Sequence, residues 1–267
     1  MEKTDIRNFI IQLGAEAGEY LRNHFYTFKN TVQREVGGFA SNVELELETI
    51  VRRRLQQQFP SHGLVLVGQE KAAGSQSDWL WVVDALDGSQ HFSRSNPIYS
   101  FNVAVQHKGE TIFGVINEPQ THQLFFAEIG QGAFLNGLKT VVSTQADLDK
   151  AYIYVELPEQ SGSSLGSENN FEQSIAIINQ LVQRTAQVET FRVGAYGQCL
   201  VAAGCFDAYV DLSGSSQKLA QAASLLIARE AGANIVELTP ENNGKIQTMV
   251  TNNKLTKAMR EILADNC

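Results

Sequence analysis

The chain has 267 residues, 43% of them hydrophobic and 19% charged, enough to bury a full core in one large domain or two tightly packed lobes. Its formal net charge of −8 argues against non-specific binding to nucleic acid or to an anionic membrane as the main task. The opening residues Met1 to Asp5 carry no signal-peptide pattern and no apolar run reaches membrane-spanning length, which predicts a cytoplasmic protein. The three cysteines, Cys199, Cys205 and Cys267, lack metal spacing and read as reduced thiols.

Ile6, Phe9, Ile10, Leu13, Ala17, Leu21 and Phe25 recur at three- and four-residue intervals and predict a first helix, which Thr4 or Asp5 can cap. A second helix is expected from about Asn42 to Gln58, with Val43, Leu47, Ile50, Val51 and Leu55 on its inner face and Pro60 ending it. Just before it lies Gly37 to Glu44, G-G-F-A-S-N-V-E. Leu64 to Val67 reads as a short apolar strand followed by Gly68, Gln69 and Glu70.

The stretch W-L-W-V-V-D-A-L-D-G-S-Q-H-F, Trp79 to Phe92, reads as a buried strand that stops at a charged turn. If a helix begins after Gly88, the backbone N–H groups of Gly88, Ser89 and Gln90 are open donors at its positive end and can seat a phosphate oxygen. Asp84 and Asp87 beside that seat would repel a phosphate unless a hard cation such as Mg2+ lies between. A bare D-x-x-D-G serves equally well as a capped, solvated turn.

Ser100 to Gln106, Thr111 to Ile116 and Leu124 to Glu128 predict an antiparallel meander. The glycines of G-V-I-N-E-P (Gly114 to Pro119) and G-Q-G-A-F-L-N-G (Gly130 to Gly137) fit turns. Pro158 to Asn170 is polar and Ser/Gly-rich, a surface loop. The last third alternates: Phe171 to Arg184 helical, Val188 to Val193 extended, Cys199 to Gly204 apolar, Ala208 to Leu212 extended, Ala220 to Ala231 helical, Ala233 to Val236 extended and Leu255 to Ala264 helical. That is layered α and β rather than a repeat.

The central stretch is similar to the D-P-[IL]-D-G-T-x-N-F signature of the inositol monophosphatase family of Mg-dependent, lithium-sensitive phosphatases, with Ala85 for the Pro, Ser89 for the Thr and His91 for the Asn. Gly38, Ser41 and Glu44 fall on a family D-x-V-T-x-x-D, and the glycine motifs at Gly114 and Gly130 resemble family G-V-[IV]-x-x-P and G-x-G-A-x-x-N-G. The wording is closest to the bacterial SuhB branch, which implies a role with the transcription machinery in ribosomal RNA synthesis. The resemblance implies an αβαβα sandwich, a single domain over 1–267 with an α+β lobe to about 144 and an α/β lobe from about 145, and a homodimer. It implies Mg2+ as cofactor and an inositol or sugar phosphate as substrate.

By the same resemblance the metal contacts fall on Asp84, Leu86 and Asp87, the phosphate contacts on Gly88, Ser89 and Gln90, and a substrate contact on Asp211. Three positions depart from the family. The metal-binding Glu is Gln69, with Glu70 able to replace it only if the strand bulges or slips. The second Thr, which helps activate the attacking water, is Gln90. The Asp of the second signature, W-D-x-A-A, falls on Ala220 when Ala222-Ala223 and Glu230-Ala231-Gly232 are aligned. Two Mg2+ ions bring four positive charges, and by matched position the chain offers only Asp84 and Asp87 against them. The expectation is partial Mg2+ occupancy, impaired or absent turnover, and a regulatory role through a protein partner. The alternative is an active phosphatase in which Glu70 or another acid makes up the deficit. His24, His62, His91, His107 and His122 lack paired metal spacing, and Arg52 to Arg54 reads as a solvated face.

Overall fold

The structure is a computed structural model that describes residues 2–33, 39–69, 77–157, 168–242 and 244–264. Gly37, Gly38, Glu70, Cys267 and the greater part of the Pro158 to Asn170 loop lie outside the described residues.

In chain order the elements are α1 (Glu2–Asn23), β1 (Thr31–Gln33), β2 (Phe39–Ser41), α2 (Asn42–Gln58), β3 (Gly63–Leu66), β4 (Trp79–Asp87), α3 (Ser89–Ser93), β5 (Ser100–His107), β6 (Glu110–Glu118), β7 (Gln123–Glu128), β8 (Gly132–Leu135) and β9 (Leu138–Thr140). There follow β10 (Tyr152–Glu156), α4 (Glu168–Arg184), β11 (Gln187–Glu189), α5 (Gly194–Ala202), β12 (Ala208–Asp211), α6 (Ala222–Glu230), β13 (Asn234–Glu237), β14 (Thr248–Thr251) and α7 (Thr256–Ala264). A seven-stranded sheet runs in the order β3-β4-β5-β6-β7-β8-β9, antiparallel except for the β3/β4 pair. A five-stranded mixed sheet runs β11-β10-β12-β14-β13.

Helices α1 and α2 pack on the outer face of the larger sheet, α5 and α6 pack against strands of both sheets, and α4 and α7 pack together over the core beneath the smaller sheet. The result is the expected αβαβα sandwich, with three apolar cores between its layers. The seven apolar residues expected on the first helix, Ile6 through Phe25, are all buried, with Phe25 just past the end of α1. Helix α1 already runs from Glu2, so Thr4 and Asp5 sit within its first turn rather than before it. Helix α2 matches its expected span, with Ser41 capping it by accepting the Glu44 backbone N–H at 3.1 Å.

Two differences from the sequence reading have clear causes. The apolar run around Cys199 belongs to α5, which is buried nearly all round between the two sheets and therefore lacks an amphipathic period. Its start at Gly194 also ends the extended stretch, and the strand there stops at Glu189. The hairpin β8–β9 and the strand β14 are too short for alternation to identify.

The glycines divide in the same way. Asn136 and Gly137 both have positive φ (50° and 79°), and Leu135 pairs with Leu138, so this N-G closes a two-residue hairpin. Gly114 is no turn glycine. It lies within β6, and a Cβ there would come within 2.8 Å of the Ala223 carbonyl oxygen, so its absence lets α6 lie directly on the sheet. We expect Gly114→Val to lower stability by about 1–3 kcal/mol, read as a lower urea midpoint with an unchanged m-value.

Candidate functional site

Strand β4 carries Asp84 and ends at Asp87. In a regular strand, residues three apart point to opposite faces. Here Asp84 pairs with Asn102 and Asp87 with Ser100 on β5, so three steps on β4 match two on its partner. The extra residue is a bulge, and it turns both carboxylates to the face shared by Asn102 and Ser100. Gly88 follows with φ +83°, and a Cβ there would strike the Ile98 carbonyl at 2.9 Å and Val193 Cγ2 at 3.2 Å. Only glycine fits this turn into α3. The expected strand, turn and helix are therefore present, with Ser89 and Gln90 in the first turn of α3.

The two acids differ in surroundings. Asp84 Oδ1 accepts the Leu86 backbone N–H at 3.3 Å. Burial pushes the Asp87 carboxyl up to about 6, opposed by the backbone N–H of Ala195, the Asn102 amide and the N–H of Gly88. Ala195 belongs to the first turn of α5, whose positive end thus faces Asp87. His91 holds that neighbourhood together. Its Nε2 donates to the Phe191 carbonyl while its Nδ1 accepts from Asn96 Nδ2 at 2.8 Å, which fixes α3 to the turn before α5.

The substituted positions have other partners. Gln69 Nε2 donates to Glu48 Oε2 at 2.9 Å, and its Oε1 accepts from Arg52 Nη2 at 3.3 Å, so both ends of the amide are engaged by α2. Ala220, two residues before α6, lines a crevice with Asp84, Asn102, Val67 and Ala223 that is too tight for a water molecule. Among the described residues, no three His, Cys, Asp or Glu side chains come together as an ion-binding set.

Sequence reasoning missed Glu156. It ends β10 in parallel register with Asp211 at the end of β12. The Tyr154 hydroxyl donates to its Oε1 at 3.1 Å. Burial first, and then the charges of Asp87 and Asp211, push the Glu156 carboxyl up to about 8. Asp211 is also raised by burial, although Ser213 donates to its Oδ1 through both N–H (2.8 Å) and Oγ (2.6 Å); its buried Oδ2 has no hydrogen-bond partner. A Cβ at Gly194 would lie 2.9 Å from the Tyr209 hydroxyl and 3.5 Å from Glu156 Oε1, so the start of α5 closes over these acids. The signal was available: Y-I-Y-V-E ends an apolar run in an acid, as W-L-W-V-V-D does.

Two central helices between a seven-stranded and a five-stranded sheet, with acids at the end of a bulged strand, define the layered sandwich of the inositol monophosphatase and fructose-1,6-bisphosphatase type. The chain belongs to the inositol monophosphatase family, whose sequence profile matches residues 2–266. It is similar to the Nus factor SuhB of Escherichia coli K12, 26% identical over 262 residues that cover 97% of this chain and 95% of that protein. The inositol-1-monophosphatase of Rhizobium meliloti is 27% identical over 270 residues, covering 98% and 97% of the two chains. The crystal structure of SuhB from Bartonella henselae superposes with a TM-score of 0.86 at 23% identity, over 97% of this chain and 98% of that one.

Glu156 gives a pH test. An acid with a raised folded-state pKa stabilises fully below its ordinary value near 4.5, and that contribution is lost as pH rises through about 8. Glu156→Gln keeps the Tyr154 contact without the charge. The variant should match the wild type in stability near pH 4 and exceed it near pH 9, the gap widening at about 1.4 kcal/mol per pH unit at its steepest. Urea unfolding across that range measures it.

Proposed function

We propose that this protein is a family member whose hydrolytic site is impaired and that it acts mainly through contacts with other macromolecules, as a cytoplasmic homodimer. The observation that carries this reading is Gln69. A neutral amide bonded to Glu48 and Arg52 supplies no charge to a divalent ion and poises no water for deprotonation. Ala220 adds a methyl group beside Asp84 where an ion would need an oxygen, and Gln90 stands where the family has a water-positioning hydroxyl. Glu70, the residue that would compensate for Gln69, lies outside the described residues.

Asp84, Asp87 and the Leu86 backbone fit one hydrated Mg2+, which takes one or two carboxylates and keeps several waters. They do not fit two. A single ion would polarise a phosphate oxygen seated by Gly88, Ser89 and Gln90, without a second ion for the leaving group. One relative is a Nus factor, which supports a partner in the transcription machinery for this chain also.

The rival reading is a working Mg-dependent phosphatase of inositol or sugar phosphates. It draws on the retained pair Asp84 and Asp87, which the bulge turns to one face, and on the relative from Rhizobium meliloti. Phosphate release from inositol 1-phosphate, with Mg2+ titrated upward, separates the two. We expect turnover lower than that of an intact homologue by about 10²-fold or more, since a lost preorganised contact costs ~10²–10³ in rate. Turnover equal to the homologue's would establish the rival.

A further inference from the structure

Asn102 lies on β5 directly opposite Asp84, on the face to which the bulge also brings Asp87. Its side chain is buried, and Ser100 Oγ donates to its Oδ1 at 2.8 Å. That bond sets which end of the amide meets the acids. The opposite flip would place a carbonyl oxygen against two carboxylates, so the N–H end is the one turned toward them. Asn102 lines the same tight crevice as Asp84 and Ala220. Nδ2 is buried beside these acids, yet it makes no hydrogen bond of full geometry. Buried donors are nearly always satisfied, so an orphan donor facing two acids marks a place with a role.

Two carboxylates on one face repel each other unless something positive stands near them. An amide does part of that work without carrying charge. Its N–H groups favour the ionised acids, but they turn the positive end of a dipole toward any incoming cation and offer it no lone pair. Mg2+ selects oxygen ligands, and an N–H donor in the first circle of neighbours is one ligand fewer.

Resting on the reading of a site with too few anions for two ions, we propose that Asn102 is a positioning residue that sets the cation capacity of the site: its Nδ2 faces Asp84 and Asp87 as an uncharged donor, offsets their mutual repulsion without an ion, and reduces what a divalent ion gains there. Asn102→Asp would exchange the donor for a third carboxylate. Asn102→Ala would leave the acids without the donor.

The test is the melting temperature of the full-length chain against MgCl2, with ionic strength held constant by NaCl so that screening is the same throughout. Asn102→Asp should reach its Mg2+ midpoint at a concentration about tenfold or more below that of the wild type. Asn102→Ala should melt lower than the wild type without Mg2+ and gain more from it. If Asn102→Asp does not fold, Asn102→Ala and Asn102→Ser carry the same comparison. Folded variants that show the wild-type midpoint and the wild-type gain would overturn the proposal. Failure of the impaired-site reading would show separately, as inositol 1-phosphate turnover by the wild type, and the Mg2+ midpoints of the variants would still decide the role of Asn102.

Discussion

The closeness of like charges beneath the ends of three strands is the constraint on which this molecule depends. Asp87 comes from β4, Glu156 from β10 and Asp211 from β12, and each is held mostly or wholly out of water. Burying a carboxylate is unfavourable unless protons, dipoles or cations compensate. The fold supplies dipoles: the N-terminal turn of α5 toward Asp87, the Tyr154 hydroxyl toward Glu156, and the Ser213 N–H and hydroxyl toward Asp211. It supplies protons too, since Glu156 is raised to about 8 and so stays largely protonated at neutral pH. What it does not supply, among the described residues, is a set of three acids arranged as ion ligands.

The layered architecture follows from bringing those strand ends together. Helices α5 and α6 separate the two sheets, and small residues permit the close approach: an added Cβ would strike Ala223 from Gly114 of β6, Tyr209 from Gly194, and the Tyr154 ring from Gly197, the last at 2.9 Å. A buried polar network ties the same helices to the smaller sheet. Gln198 of α5 donates to Gln221 at 2.7 Å and accepts from Ser224 of α6 at 2.7 Å, while Thr248 of β14 donates to Gln221 at 2.9 Å. Such networks favour one arrangement of the elements they join, here with Gln221 Nε2 left as a buried donor without a partner. The residue just before that network is Ala220, and the start of α6 is held by amides and hydroxyls.

Much of the fold was legible in residue order, and the reasons differ by element. Helices α1, α2 and α7 bury one stripe each, so their period showed, and the meander showed as apolar runs between turns, with β5 and β6 buried on both faces over most of their length. Helix α5 was hidden because it is apolar on every side, and β14 because four residues buried on both faces carry no alternation. At the site, the D-x-x-D-G-S stretch and its turn could be read directly. The bulge that makes Asp84 and Asp87 share a face could not, since register belongs to the partner strand. The role of Asn102 and the Gln69 to Glu48 bond were likewise invisible, since each depends on a neighbour 21 positions away or across the sheet; Glu156 was marked by its place at the end of an apolar run, but its nearness to Asp211 was not.

The central claim is a shortage of anions, and counting bound divalent ions tests it most directly. Mn2+ can stand in for Mg2+, and electron paramagnetic resonance of free Mn2+ titrated against the full-length chain gives the number of ions held per protein. The account predicts no more than one ion per chain, weakly held, with the second absent until the metal is in large excess. Two ions per chain binding tightly and together would contradict it.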